Sequence, residues 1–250
     1  MAGRIAGKVA FVTGAARGQG RSHAIRLAEE GADIIAVDVL QDYETVSYGM
    51  GTEQDLADTV TAVAALGRKI IARKADVRDA AAIRQVVDEG VGELGKLDIA
   101  VANAGISTVQ AWDEVTPAVW QDTIDTNLTG VWHTIVAAVP HLIGNDGGSI
   151  ICISSTAGIK GLPFFAPYVA AKHGVVGLAK TMANELARHN IRVNTVHPTG
   201  VNTPMGHQSR RVVLAAGQRP EPRSDLHEHA GCRPHRAARR QQRGAVPRLR

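Results

Sequence analysis

A tyrosine and a lysine stand four residues apart, at Tyr168 and Lys172, in the stretch YVAAK. On a helix this spacing places both side chains on one face. A lysine ammonium beside a phenol stabilises the phenolate, so we expect the pKa of Tyr168 to fall below its usual value of about 10. Tyr168 is therefore a candidate general acid/base for a proton that moves to or from a substrate oxygen. A solvated surface pair is the alternative explanation of this spacing.

Ser155 stands 13 residues before the tyrosine, at the end of the apolar run GSIICISS. We predict a parallel strand over 148–155, and open α/β sheets bind their ligands at the carboxyl ends of such strands. The Ser155 hydroxyl is therefore a candidate to hold the substrate oxygen, and a helix-cap or turn hydroxyl is the alternative.

A glycine-rich turn, TGAARGQG, places Gly14, Gly18 and Gly20 between a strand pattern and a helical pattern. Glycine lets the backbone turn sharply and lets a pyrophosphate approach closely. The helix N-terminus then offers free N–H groups and a positive dipole end to the anion. This strand–turn–helix context predicts a dinucleotide site.

Asp38 ends the next strand, 18 residues after Gly20, near the spacing at which a carboxylate binds the adenosine ribose hydroxyls. Since a carboxylate repels a 2′-phosphate, we predict NAD rather than NADP as the cofactor. Arg17 conflicts with this choice because a basic residue there can meet a 2′-phosphate; a pyrophosphate contact or a solvated arginine are the alternatives. Asp38 decides for NAD since it would lie against the ribose itself, although a simple loop cap would also explain it.

The elements that position these residues alternate between strands and helices. Strands are predicted at 8–13, 32–38, 69–75, 97–105, 148–155 and 191–198, and helices at 21–31, 54–66, 79–92, 117–144 and 167–189. This alternation predicts an α/β protein with a Rossmann-type doubly wound parallel sheet and helices on both faces. The segment 39–53 is polar, irregular and long for a connection in a compact domain.

Charge is distributed unevenly along the chain. Residues 208–250 hold 11 arginines, no lysine and three acids, whereas residues 1–207 hold 17 basic and 21 acidic residues. The two cysteines exclude a disulfide framework as the organising device. Because neither a signal peptide nor an apolar run of about 18 residues occurs, we expect a cytoplasmic protein without membrane contact. No metal site is predicted.

The motifs together resemble those of the short-chain dehydrogenase/reductase family. The resemblance covers residues 8 to about 205, and the matching pieces stand in family order. They are TGAARGQG, DV at 76–77, ANAG at 102–105, Asn127 in DTNLTG, ISSTAG with Ser155, YVAAK, and HPTGVNTP at 197–204.

This resemblance implies hydride transfer between a secondary alcohol or ketone and nicotinamide. It assigns proton transfer to Tyr168, ribose binding and tuning of the tyrosine to Lys172, and positioning of the carbonyl oxygen to Ser155. Asn127 would hold a water that connects Lys172 to solvent. The cofactor residues implied, with Tyr168 and Lys172, are Gly14, Arg17, Gly18, Gln19, Gly20, Asp38, Asp76, Val77, Asn103, Ala104, Gly105, Pro198 and Thr203. Relatives in the family are commonly homotetramers or homodimers.

Two departures from the family pattern occur. Thr199 replaces the glycine that usually follows the proline, which concerns the local loop shape alone. An insertion at about 40–52 resembles an actinobacterial subgroup of carveol-dehydrogenase-like enzymes, associated with mycofactocin and tightly held NAD. That resemblance implies a cyclic or terpenoid secondary alcohol. The apolar stretch LPFF at 162–165 suits such a substrate, or serves packing.

The tail 208–250 does not supply the lid helix, the further helix and the last strand with which the family continues. Reading its codons one base later permits IFMNMLGVDPIEPRDVSNAVLFLAS, an apolar helical pattern like the family's C-terminal region. The opposite shift almost excludes the large apolar residues. We therefore predict an incomplete NAD-binding domain over 1–207, with last helix and strand missing, and a disordered out-of-frame tail over 208–250. The frameshift would lie near 206–215, as a genuine lesion or a sequencing error.

The sequence leaves two other functions open. A catalytically impaired chain that still binds NAD would follow from the missing C-terminal elements. A nucleic-acid binder acting through the arginine tail is the other alternative. The tail has no aromatic residue for base stacking and its arginines follow no helical face, which argues against a nucleic-acid partner.

Overall fold

A computed structural model describes residues 3–209 of the chain. Within this range lies one six-stranded parallel sheet with the order β3-β2-β1-β4-β5-β6. Its strands are β1 (Val9–Thr13), β2 (Asp33–Asp38), β3 (Ile70–Lys74), β4 (Ile99–Ala102), β5 (Gly148–Ile153) and β6 (Ile191–Val196). The order reverses between β1 and β4, which is where doubly wound sheets bind their ligands. The predicted fold class is confirmed.

The central strands β1 and β4 are apolar except for Thr13 because helices cover both faces of the sheet. In β1 every residue is buried, and successive side chains point to opposite faces. Phe11 packs with Ile35 against one layer of helices, while Val12 packs with Ile34 against the other. The two layers differ in side-chain size. The layer against Val12 and Ile34 includes Ala24 and Ala28, whose small side chains bring the first helix close to the sheet.

Six α-helices are numbered below, and residues 204–209 are helical as well. Four of the six begin and end within three residues of a predicted helix. The six are α1 (Gly18–Glu29), α2 (Glu53–Ala65), α3 (Ala80–Leu94), α4 (Pro117–Ile124), α5 (Gly130–Gly144) and α6 (Ala166–Leu186). The sequence predicted one helix over 117–144, but a π-helical segment at Asp125–Thr129 divides it. Backbone bonding between carbonyls and amides five residues apart widens this turn.

The tail from residue 210 onward lies outside the described residues, so the predicted loss of the last helix and strand stays a prediction. Over residues 3–209, no helix combines the length and the apolar character that a membrane crossing requires.

Candidate active site

The glycine-rich turn between β1 and α1 is closed so tightly that side chains would not fit. Gly14 and Gly18 have φ of +68° and +57°, in the left-handed region. A Cβ on Gly20 would lie 1.9 Å from the Gly14 carbonyl oxygen, and one on Gly14 would lie 2.9 Å from the Ala104 Cα. The turn therefore needs glycine at positions 14 and 20. A backbone that holds a closely approaching ligand has the same requirement.

Helix α1 begins at the open side of this turn. Arg17 occupies the N-cap position and makes no side-chain capping bond, so the amides of the first turn have no cap. Uncapped amides at a helix N-terminus favour an anion such as a pyrophosphate. The Arg17 guanidinium donates instead to the Gly49 carbonyl oxygen. The sequence left its role open, and in the structure it joins the glycine turn to the inserted loop.

Asp38 closes the end of β2 beside the turn and is 8% exposed. Its Oδ2 accepts a hydrogen bond from the Ala16 amide at 2.9 Å, and its Oδ1 accepts one from the Val39 amide at 2.8 Å. Burial raises the pKa of the Asp38 carboxyl, while these backbone donors act in the opposite direction. The carboxylate therefore holds the glycine turn in shape as well as facing the cleft.

The inserted loop, residues 39–52, forms one wall of the cleft. The Tyr43 hydroxyl donates to the Asp76 carboxylate at 3.2 Å, and the Arg78 guanidinium lies 4.2 Å from the centre of the Tyr43 ring. Burial raises the pKa of Tyr43 to about 12. Arg78 also donates to Asp122 at 2.8 Å.

A second tyrosine of the loop reaches the other side of the cleft, where the Tyr48 hydroxyl accepts a hydrogen bond from the Ser107 amide at 3.1 Å. The C-terminal end of the loop is set by a capping box, in which Thr52 and Asp55 bond reciprocally at the start of α2. The pair S/T-x-x-D in TEQD was the available sequence signal for this end, but nothing in the sequence pattern located Tyr43 or Tyr48.

The cleft brings together most of the predicted cofactor residues. Its lining includes Gly14, Arg17, Gly18, Gln19, Gly20, Asp38, Asp76, Val77, Asn103, Ala104, Gly105 and Thr203. It also includes Tyr43, Tyr48, Met50 and Gly51 of the inserted loop and Thr126, which sequence reasoning missed. Five of the predicted site residues do not line this cleft, namely Pro198, Asn127, Ser155, Tyr168 and Lys172.

Lys172 is buried at the carboxyl end of β5, with 3% of its surface exposed. Its Nζ donates to the Ile153 carbonyl oxygen at 2.8 Å and lies 5.5 Å from the centre of the Tyr168 ring. Burial lowers the pKa of Lys172 to about 8. The predicted pair therefore shares one helix face, and a solvated surface pair is excluded.

The pKa of Tyr168 moves in the direction opposite to the one we expected. Burial raises it, and a hydrogen bond with Ser155 opposes that rise. The expectation was wrong because the same burial that brings Lys172 close also removes water from the phenolate. The ring of Phe165 packs edge-on against Tyr168 at 6.3 Å between centroids and contributes to this apolar surrounding.

Asn127 lies in the π-helical segment and is fully buried. Its Oδ1 accepts from the Ile106 amide and its Nδ2 donates to the Ile106 carbonyl, both at 2.8 Å. A Cβ on Gly105 would lie 2.9 Å from the Asn127 Oδ1 and 3.7 Å from the Lys172 Nζ. Asn127 and Lys172 thus converge on Gly105, while the predicted water contact of Asn127 stays a prediction.

Ser155 begins a short 3₁₀ turn just beyond β5 and is buried. Its Oγ accepts a hydrogen bond from the Ala157 amide at 3.1 Å. The Thr156 amide donates to the Pro198 carbonyl at 3.0 Å, which places Pro198 behind the turn. Ser155 therefore has the turn role that was its alternative, and its side chain also lowers the pKa of Tyr168.

Taken together, the fold and the cleft define a dinucleotide-binding oxidoreductase. The tight glycine cradle, the uncapped α1 amides and the buried Asp38 fit a dinucleotide without a 2′-phosphate. The profile of the short chain dehydrogenase family matches residues 8–213. The chain belongs to the short-chain dehydrogenase/reductase family.

Relatives within this family identify the cofactor as NAD. The (-)-trans-carveol dehydrogenase of Rhodococcus erythropolis is 55% identical over 204 residues, which are 81% of this chain and 74% of the relative. The crystal structure of carveol dehydrogenase from Mycobacterium avium in complex with NAD superposes with a TM-score of 0.83 at 52% identity, covering 86% of this chain and 79% of that one. An NAD-bound short chain dehydrogenase from Mycobacterium paratuberculosis gives 0.82 at 54% identity, with 86% and 80% covered. The protein is an NAD-dependent alcohol dehydrogenase or ketone reductase.

Proposed function

We propose that the protein interconverts a cyclic secondary alcohol and its ketone, with Tyr168 as the general acid/base. The observation that carries this proposal is the meeting of three groups at the carboxyl end of β5. Ser155 lies just beyond β5, and the Lys172 Nζ donates to Ile153, the last residue of β5, and lies 5.5 Å from the centre of the Tyr168 ring. Bound NAD supplies the hydride acceptor, or the donor in the reverse direction.

Each of the three groups has a distinct part in the proton movement. Tyr168 takes the alcohol proton onto its phenolic oxygen, or returns it to the carbonyl oxygen. The Ser155 Oγ accepts from the Ala157 amide, so its own hydrogen is available to a neighbouring oxygen. That oxygen is the one of Tyr168 before substrate binds and the substrate oxygen afterwards. The Lys172 ammonium uses one hydrogen on Ile153 and retains two others for a ribose hydroxyl and for charge stabilisation of the phenolate.

The proposed cofactor contacts follow the cleft from one end to the other. The α1 amides would bind the pyrophosphate, Asp38 the adenosine ribose, and Asp76 with Val77 the adenine. Asn103, Ala104 and Gly105 would line the middle, and Thr203 would hold the carboxamide. Thr203 supports this placement, since its Cγ2 would lie 3.3 Å from a Cβ on Gly18.

We further propose that the inserted loop slows NAD exchange. Arg17 and Tyr48 tie it to the two opposite rims of the cleft, and Tyr43 ties it to Asp76. These contacts would have to open before a cofactor bound in the cleft could leave. The predicted association with mycofactocin stays a prediction.

The substrate class rests on Phe165 beside Tyr168, on exposed apolar side chains in two loops of the chain, and on the names of two relatives. Phe165 packs on the tyrosine, and Trp112, Ile159 and Phe164 are exposed at 87%, 64% and 43%. The Gln110 amide donates to the Phe164 carbonyl at 3.0 Å and joins the loops that carry these side chains. A relative from Sinomonas cyclohexanicum, 42% identical over 205 residues, is named trans-4-hydroxycyclohexanecarboxylate dehydrogenase. Like the carveol dehydrogenase, its name specifies a cyclic alcohol.

The test is the reduction of NAD with a panel of cyclic and open-chain secondary alcohols. Tyr168→Phe should lower kcat about 10²- to 10⁴-fold, the range for a positioned general acid/base, while NAD binding measured by calorimetry is retained. Activity that survives in Tyr168→Phe contradicts the assigned role. NAD binding without turnover of any alcohol identifies the catalytically impaired alternative.

A further inference from the structure

His197, immediately after β6, contacts the backbone of the serine at the reaction centre. Its Nδ1 lies 2.9 Å from the Ser155 carbonyl oxygen, and its Nε2 lies 2.9 Å from the Thr195 hydroxyl. A carbonyl oxygen only accepts, so the Nδ1 must carry the hydrogen. The Thr195 hydroxyl then pairs with Nε2. Both ring nitrogens are therefore used, and the imidazole has one orientation.

The turn that presents Ser155 needs such an anchor. Its internal bonds run from the Ala157 amide to the Ser155 Oγ and from the Gly158 amide to the Ser155 carbonyl. These bonds define the shape of the turn but not its position relative to the sheet. Backbone bonds on both sides of Ser155 tie the turn to β6 and its end, from the Ser154 amide to Val196 and from the Thr156 amide to Pro198. His197 adds the one side-chain bond to Ser155 itself, on the second lone pair of its carbonyl oxygen.

We propose that His197 is a positioning residue that holds Ser155 at the distance from Tyr168 that proton transfer requires. This inference rests on the proposed function, since it assumes that Ser155 acts on the substrate oxygen. A misplacement of about 1 Å at a reacting centre can lower turnover as much as 10²-fold. The imidazole does not line the cleft between the glycine turn and the inserted loop.

The matched variants differ in where they place an amide donor. His197→Asn keeps an N–H near the Nδ1 position, whereas His197→Gln moves it toward the Nε2 position, and His197→Leu removes it. With carveol as substrate we expect His197→Leu and His197→Gln to lower kcat about 10- to 100-fold, with KM for NAD changed less than about twofold. His197→Asn should recover kcat to within about threefold of the parent. Equal kcat in Asn and Gln variants overturns the proposal.

A double variant separates positioning from general stability. If His197 acts only through Ser155, adding His197→Leu to Ser155→Ala should lower kcat no further. An additional tenfold loss in the double variant would show an independent role and overturn the proposal. A parent-like kcat in Ser155→Ala instead contradicts the proposed function, so the two failures are distinguishable.

A spectroscopic readout needs no turnover. The hydrogen bond of Ser155 lowers the pKa of Tyr168, so displacement of the serine should raise it. Ultraviolet titration of tyrosinate, taken as the difference from Tyr168→Phe, should show this rise in His197→Leu and Ser155→Ala but not in His197→Asn. An unchanged midpoint in a folded His197→Leu protein that still binds NAD refutes the inference.

Discussion

Lys172 holds its ammonium group in a buried position, and this burial is unfavourable for the free energy of folding. Its pKa is lowered to about 8 by burial, against about 10.4 for a free lysine. Below pH 8 both folded and unfolded chains hold the proton, and the desolvation of the folded form costs about 3 kcal/mol. Between about pH 8 and 10.5 the unfolded chain binds more protons, so stability rises with pH.

We therefore expect Lys172→Met to change the pH dependence of stability as well as activity. The variant loses the bond to Ile153 but also loses the buried charge, so it should lack the stability gain of the parent between about pH 8 and 10.5. Chemical denaturation at pH 7, 8.5 and 10 measures this, with Lys180→Met on the exposed side of α6 as control. If Lys172→Met keeps the pH dependence of stability of the parent, burial of the charged Lys172 is not its cause. We also expect the kcat of Lys172→Met to fall at least about tenfold.

Single residues were predictable where chemistry and spacing coincide. Asp38, the three glycines and the tyrosine–lysine pair each stand at a strand end or on one helix face, and local periodicity locates such places. Arg17 was ambiguous because its partner, the Gly49 carbonyl, belongs to a loop without periodicity. The direction of the Tyr168 pKa was wrong because desolvation depends on packing from distant parts of the chain, which spacing does not reveal.

At the scale of elements, the glycine turn was predictable from the sequence, and the physical reason is the lack of space for a side chain. A Cβ on Gly20 would lie 1.9 Å from the Gly14 oxygen and 2.8 Å from the Asn103 Nδ2. Gly20→Ala should therefore destabilise the protein by about 1–3 kcal/mol and weaken NAD binding. Gly92→Ala is the control: it lies in α3 with open space around it and should stabilise by up to about 1 kcal/mol. Thermal unfolding and NAD titration that rank the two variants equally would contradict this reading.

The inserted loop is the element that the sequence identified as unusual without indicating its contacts. Tyr48→Phe removes the acceptor of the Ser107 amide, and one such bond is worth about 1 kcal/mol. We expect NAD to dissociate roughly fivefold faster, measured by stopped-flow release into a trapping dehydrogenase. Thr61→Val removes an exposed hydroxyl that bonds only within α2 and is the control. An unchanged dissociation rate in Tyr48→Phe would separate the loop from cofactor retention.

Helix boundaries followed the apolar pattern except within the predicted helix 117–144. The pattern of 117–144 is continuous, yet the π-helical segment divides it at Asn127. The wider turn aims the Asn127 amide at both backbone groups of Ile106. A π segment carries no periodicity signal of its own, since it adds one residue to one turn, so only the three-dimensional contacts reveal it.

At the scale of the whole molecule, the chain changes character near the end of its family match. The match ends at residue 213, and the arginine-rich composition begins at 208. Residues 1–207 carry an excess of acids, so the basic charge of the full chain belongs to the tail. A nucleic-acid role for these arginines would require salt-dependent DNA binding that is lost when 208–250 are deleted.

We expect the DNA across codons 200–220 to contain a one-base shift relative to a frame that encodes an apolar C-terminal helix. In the family that helix and a final strand extend the sheet and commonly form a subunit interface. The frame-corrected chain should therefore unfold at a higher temperature than the present chain, and light scattering should show the dimer or tetramer typical of the family. Its turnover of cyclic alcohols should rise, because a lid helix would then close over the substrate and exclude water. If the shifted frame encodes no apolar helix, the frameshift hypothesis is wrong. It is also wrong if the two chains have equal unfolding temperature, assembly state and turnover.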